Sequence, residues 1–184
     1  MNREFWEKYA EDADLHYNEE FAKFIRDLVL SLRCLSVLEV GCNAGNDLKL
    51  FTSNIDVNGL DSNEKIVEIA KKRNPHVNFK VGTVTKLPYD NSSIDLIFTH
   101  GFFNYLDDGQ IEDGIKEIFR VSKKYIVNCE IYGTNNVIDE KNNQKGRNML
   151  EKWMNYKVKV ISNVEMHEEI DPEKSRFVLV RKLV

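Results

Sequence analysis

The residues of this chain best spaced for chemistry lie in Val37-Leu38-Glu39-Val40-Gly41-Cys42-Asn43-Ala44-Gly45-Asn46-Asp47-Leu48. A short apolar run breaks into glycines, which let a backbone turn sharply and approach a ligand closely. The spacing predicts a buried strand, a tight turn and the first turn of a helix, whose unpaired N–H groups would face the ligand. Glu39 sends a carboxylate toward the turn. Asp61 ends a second apolar run, Val57–Leu60, about 20 residues beyond Gly41, where an acid accepts hydrogen bonds from ribose hydroxyls in nucleoside-binding α/β folds. Asp61, Ser62 and Asn63 are equally good helix N-caps. Farther along, His100 and Glu130 close two more strand-like runs. His100 has an ordinary pKa suited to a base, or it lines the ligand without titrating. Glu130 can orient a hydroxyl or amine, or it is a strand-end carboxylate in water.

A dinucleotide turn, G-x-G-x-x-G, needs glycine at 41, 43 and 46, and this chain has asparagine at the last two. Glu39 would also repel a pyrophosphate, which argues against a dinucleotide oxidoreductase. A ligand with a cationic amino-acid end meets no such repulsion; S-adenosylmethionine carries an ammonium, a sulfonium and no phosphate. A strand-to-helix turn without a ligand is the plain structural alternative.

Elements that must position these residues follow from periodicity. Helical spacing marks Glu19–Leu32, Glu64–Arg73 and Ile111–Val121, with Pro75 closing the second. Val77–Val81, Ile94–Thr99 and Tyr125–Ile131 continue the strands. Apolar strands alternating with amphipathic helices imply a parallel sheet. Val158–Ile161 and Phe177–Val180, joined by an acidic stretch without helical spacing, predict an antiparallel pair at the sheet edge. The 184 residues, with no repeat or linker, are expected to form one domain.

Glu39-x-Gly41-x-Asn43-x-Gly45 resembles the first motif of class I S-adenosylmethionine-dependent methyltransferases, with Asn43 replacing a glycine at a position its αL-tolerant side chain can bear. Gly82–Ile97, with Leu87-Pro88 and Asp95, is similar to a later stretch of that family. The family's adenine-binding acid is there replaced by Thr83, whose hydroxyl accepts a weaker bond. Asp95 is read as structural. Phe5-Trp6-Glu7-Lys8, Phe98-Thr99-His100-Gly101, Arg120–Ile126 and Glu130-Ile131-Tyr132 resemble the pseudaminic acid biosynthesis-associated methylases, a small bacterial group; the similarity weakens after Asn135.

The resemblance implies a Rossmann-like, doubly wound, mostly parallel seven-stranded sheet with an antiparallel edge strand. It implies S-adenosylmethionine held by Glu39, Gly41, Asn43, Gly45, Asp61, Ser62, Thr83, Val84 and Thr99. Residues 1–35 would form a helical lid carrying Trp6, Tyr9, His16 and Tyr17; Phe5 and Trp6 read more readily as packing anchors. His100 and Glu130 are the catalytic candidates, with Asn104 and Tyr105 nearby, and the acceptor is expected to be a small polar metabolite, a sugar or nucleotide-linked sugar. A catalytically silent S-adenosylmethionine-binding scaffold is the other reading, favoured by Asn43 and Thr83.

A net charge of −4 with interspersed signs argues against a nucleic-acid substrate. No apolar run suits a membrane span or signal peptide. Cys34, Cys42 and Cys129 form no metal-type pair and read as reduced thiols of a cytoplasmic protein.

Overall fold

The computed structural model describes residues 3–52 and 54–183. Helices α1 (Arg3–Glu11) and α2 (Glu19–Ser31) flank a short 3-10 turn, Ala13–His16. The chain then runs through β1 (Ser36–Val40), β2 (Asp56–Asp61), α3 (Glu64–Arg73), β3 (Asn78–Val81), β4 (Ile94–His100), α4 (Asp108–Val121) and β5 (Ser122–Glu130). A small hairpin, β6 (Val137–Asp139) and β7 (Gln144–Lys145), precedes α5 (Met149–Trp153), β8 (Val158–Glu165) and β9 (Arg176–Lys182).

Seven strands form one sheet in the order β3-β2-β1-β4-β5-β9-β8. β1 is central, with β2 and β4 parallel on its two sides, as its apolar run requires for burial on both faces. β9 runs antiparallel to β5 and to β8. The expected antiparallel pair is therefore present, with the reversed strand one place in and β8 on the edge.

Alternation along each strand divides the core. Val37, Leu96, Phe98, Val127 and Leu179 pack with Phe21, Ile25 and Val29 of α2. Leu38, Val40, Ile97 and Ile126 pack with Ile111, Ile115 and Ile118 of α4 and with Trp153. The end of α3 is capped by the Asn74 backbone N–H donating to the Ala70 carbonyl, and α4 opens with a capping box between Asp107 and Gln110.

One expectation fails. No helix follows Gly45; residues 46–50 form successive turns, with Leu48 N donating to Gly45 O at 3.2 Å and Lys49 N to Asn46 O at 3.3 Å. Side chains drawn into tertiary bonds compete with a helix here. Asn46 donates to the Ala13 carbonyl at 2.8 Å, and Asp47 reaches His100.

Candidate cofactor and acceptor site

The turn after β1 is shaped by three positive φ angles: +80° at Gly41, +45° at Asn43 and +74° at Gly45. Asn43 takes the left-handed conformation and its Oδ1 accepts from Ala44 N at 2.8 Å, a local bond that helps offset the strain. Gly41 and Gly45 also permit close approach. A Cβ at Gly41 would lie 2.1 Å from the Phe102 ring, and one at Gly45 would lie 2.6 Å from Phe79. Buried Asn74 holds the turn from the end of α3, donating Nδ2 to the Ala44 and Gly45 carbonyls at 3.1 and 3.2 Å.

Glu39 shares the α2 face of β1 with Val37, and is 3% exposed. Its Oε2 has no hydrogen-bond partner. Burial, together with Asp47 and Asp61, raises its pKa well above the carboxylate range. A buried carboxyl with one oxygen unpartnered, crowded by two more acids, is an environment that a cationic group would relieve. An ammonium fits this cluster and a pyrophosphate does not.

Asp61 accepts from Asn43 N at 3.2 Å and from Asn63 N at 3.0 Å. It therefore braces the glycine turn and the turn entering α3 at once. Burial raises its pKa, while the N–H groups of Asn63, Asn43 and Ser62 pull it down. Ser62 and Thr83 are exposed, and the Thr83 hydroxyl lies 3.1 Å from that of Thr85. Val84 is buried against Gly114, so its side chain is committed to the core and only its backbone is free to meet a ligand.

Thr99 and His100 are neighbours at the end of β4, yet strand alternation sends them to opposite faces. Thr99 is fully buried on the α4 face; its hydroxyl donates to Glu130 Oε1 and accepts from Asn128 Nδ2, both at 2.8 Å. The Thr99 side chain is thus committed to internal hydrogen bonds. Glu130 is 1% exposed and also accepts from Asn104 N at 3.3 Å. Burial raises its pKa to about 7, against the opposing hydrogen bond from Thr99. Trp153 Nε1 donates to Asn128 Oδ1 at 2.6 Å, and Asn104 ties the cluster to the Ile131 and Lys145 carbonyls.

His100 faces α2 instead, stacked on Phe21 at 3.6 Å between ring centroids. Its Nδ1 lies 2.8 Å from Asp47 Oδ2, and its Nε2 lies 4.0 Å from Asp171 Oδ2. Burial alone would lower its pKa, but Asp47, Asp171 and Glu130 outweigh burial and the net shift is upward.

The N-terminal helices lie beside these strand ends. Asn63 Nδ2 donates to Glu7 at 2.9 Å, Arg73 pairs with Asp14 at 2.7 Å, and Trp6 meets Tyr105 edge-on at 4.9 Å. Tyr9 stacks on His16 at 3.8 Å. Asp95 is structural, accepting from Leu35 N and pairing with Lys124 at 3.1 Å.

Sequence reasoning missed Asp47, Asn74 and Asp171. Asp47 stood two residues past Gly45, within the stretch already singled out. Asn74 and Asp171 carry no local signal, since their partners are distant in sequence. Among the described residues no helix is long and apolar enough to cross a membrane, and no cluster of three His, Cys, Asp or Glu could hold a metal ion.

Comparison with known proteins agrees with this geometry. Residues 37–125 match the methyltransferase domain family. Demethylmenaquinone methyltransferase of Thermotoga maritima is 30% identical over 109 residues, covering 57% of this chain and 46% of that protein. The chain spans about half or less of the length of such curated relatives. Among solved structures, Haemonchus contortus phosphoethanolamine N-methyltransferase 1, in complex with phosphoethanolamine and S-adenosylhomocysteine, aligns with a TM-score of 0.73 at 17% identity. The alignment covers 98% of this chain and 48% of that one. YcgJ of Bacillus subtilis aligns with a TM-score of 0.64 at 15% identity, covering 85% and 97%. Strand order and these alignments show that this chain is built on the class I methyltransferase fold, with residues 37–125 similar to the methyltransferase domain family.

Proposed function

We propose that this chain is an S-adenosylmethionine-dependent methyltransferase acting on a small polar acceptor, working as one domain with residues 1–35 as its cover. The buried carboxyl of Glu39, with its Oε2 unpartnered and set in an acidic cluster beside the glycine turn, carries this reading. Glu39 receives the cofactor's ammonium, and Gly41, Asn43 and Gly45 give the turn that lets its backbone approach. Asp61 and Ser62 take the ribose hydroxyls, and Thr83 with the Val84 backbone takes the adenine. Thr99 acts from below, through Glu130.

When bound, the cofactor supplies a methyl group on a sulfonium that leaves as a neutral thioether. The protein's main task is alignment, worth up to roughly 7–11 kcal/mol in favourable cases. A base is needed only where the acceptor atom holds its proton at neutral pH. Glu130, with a pKa near 7, suits that task. His100 suits it less, because Asp47 and Asp171 flank the ring and shift it toward its protonated form.

The resemblance to the pseudaminic acid-associated methylases favours a sugar or nucleotide-linked sugar as acceptor. The carboxylates around the strand ends favour a neutral sugar hydroxyl over an anionic nucleotide. Incubating the protein with S-adenosylmethionine and panels of neutral and nucleotide-linked sugars, and quantifying S-adenosylhomocysteine, tests this. Acceptor-dependent product with neutral sugars supports the reading. Binding without turnover on every acceptor favours a catalytically silent module.

A further inference from the structure

The β8–β9 connection, residues 166–175, is a long acidic stretch without helix or strand, yet it folds back on the sheet. Asp171 organises it. Asp171 is 2% exposed and accepts from Glu173 N and Ser175 N, each at 3.0 Å. Its own N–H donates to the His167 carbonyl at 2.9 Å. The Asn18 side chain, at the start of α2, donates to the Ile170 carbonyl at 2.8 Å. The loop's one described ion-pair contact with the strand ends of the parallel sheet is the 4.0 Å approach of Asp171 Oδ2 to His100 Nε2.

On the other side of the same ring, Nδ1 is 2.8 Å from Asp47 in the turn after Gly45. Phe21 of α2 covers the ring face. Asp47, 9% exposed, also interacts with Glu39. A single imidazole therefore joins three segments far apart in sequence: the glycine turn, the end of β4 and the β8–β9 loop. The titratable groups acting on it are Asp47 from the turn, Asp171 from the loop and, from the other face of the sheet, Glu130 of β5. All three are acids. Two carboxylates on opposite ring nitrogens require both nitrogens to carry protons if both contacts are to be attractive.

We propose that His100 is a positioning residue which, as a cation between Asp47 and Asp171, clasps the β8–β9 loop onto the glycine turn. Glu39 links this clasp to the cofactor end of the site, a step that rests on the reading of that end given above. The pH sense follows from the acids around it. The charged ring is favoured in the folded protein, so the clasp is complete at mildly acid pH and weakens as pH rises through a His100 midpoint above 6.5.

Hydrogen exchange of the cofactor-free protein, read by mass spectrometry over residues 166–175, tests the proposal. Asp47→Asn and His100→Gln should each speed exchange there by about tenfold at pH 6.5. After correction for intrinsic rates, wild-type exchange in this segment should rise with pH, and that rise should vanish in His100→Gln. Proton NMR of the His100 ring should show a midpoint above 6.5 in wild type, lower in Asp47→Asn and in Asp171→Asn. A merely structural Asp47 would loosen residues 41–50, leave residues 166–175 unchanged and not move the ring titration; that result overturns the clasp. Should His100→Gln fail to fold, a pH-independent wild-type exchange profile overturns it as well. These readouts use no cofactor. Failure of S-adenosylmethionine to bind would therefore defeat the methyltransferase reading and leave the clasp standing.

Discussion

Replacing Glu130 with glutamine should make the protein less sensitive to pH. Glu130 is fully buried, and its pKa stands near 7 against an ordinary 4.5. A carboxyl raised on folding is neutral in both states below 4.5, so there it costs nothing. As pH rises from 4.5 to 7 the unfolded chain ionises first, and stability falls; above 7 the loss is complete. At 1.36 kcal/mol per pH unit the loss amounts to about 3 kcal/mol. Glutamine keeps the shape. Its carbonyl can face Asn104 N and its amide can donate to the Thr99 hydroxyl, which has a lone pair free. Urea unfolding of both proteins from pH 4.5 to 8 measures the effect. The variant should gain about 3 kcal/mol on wild type between the two ends of that range, whatever its constant offset. Curves that stay parallel would mean that Glu130 is ionised throughout, and would remove it as a proton carrier near neutral pH.

Two further outcomes concern the glycine turn. Gly45→Ala places a methyl group 2.6 Å from Phe79 at a φ of +74°, so it should destabilise by at least about 1–2 kcal/mol in thermal unfolding and abolish cofactor binding in calorimetry. Asn74→Ala leaves the buried Ala44 and Gly45 carbonyls without their side-chain donor and should cost about 1–3 kcal/mol in urea unfolding, while Asn74→Asp, with the wrong hydrogen-bond polarity, should cost more.

What could be read from the sequence was local. The Val37–Val40 strand, the glycine turn and the left-handed Asn43 follow from residue types a few positions apart. The sheet order followed from apolar runs alternating with helical spacing. The absent helix after Gly45 was not legible, because its cause is tertiary: Asn46 bonds to Ala13 and Asp47 to His100. The separation of Thr99 from His100 was present in principle, since adjacent strand residues point oppositely. Asp171 was hidden inside an acidic stretch that resembled solvated loop, and only its burial against His100 reveals it.

The central claim is that the acidic cluster at the glycine turn holds a cationic nucleoside cofactor. Isothermal titration of S-adenosylhomocysteine, which keeps the ammonium, into wild type and Glu39→Gln tests it most directly, with NAD as the control. Wild type should bind in the micromolar range, about −8 kcal/mol. Glu39→Gln should lose about 1 kcal/mol or more, and NAD should give no heat. Binding of NAD, or undiminished binding by a correctly folded Glu39→Gln, would contradict the account.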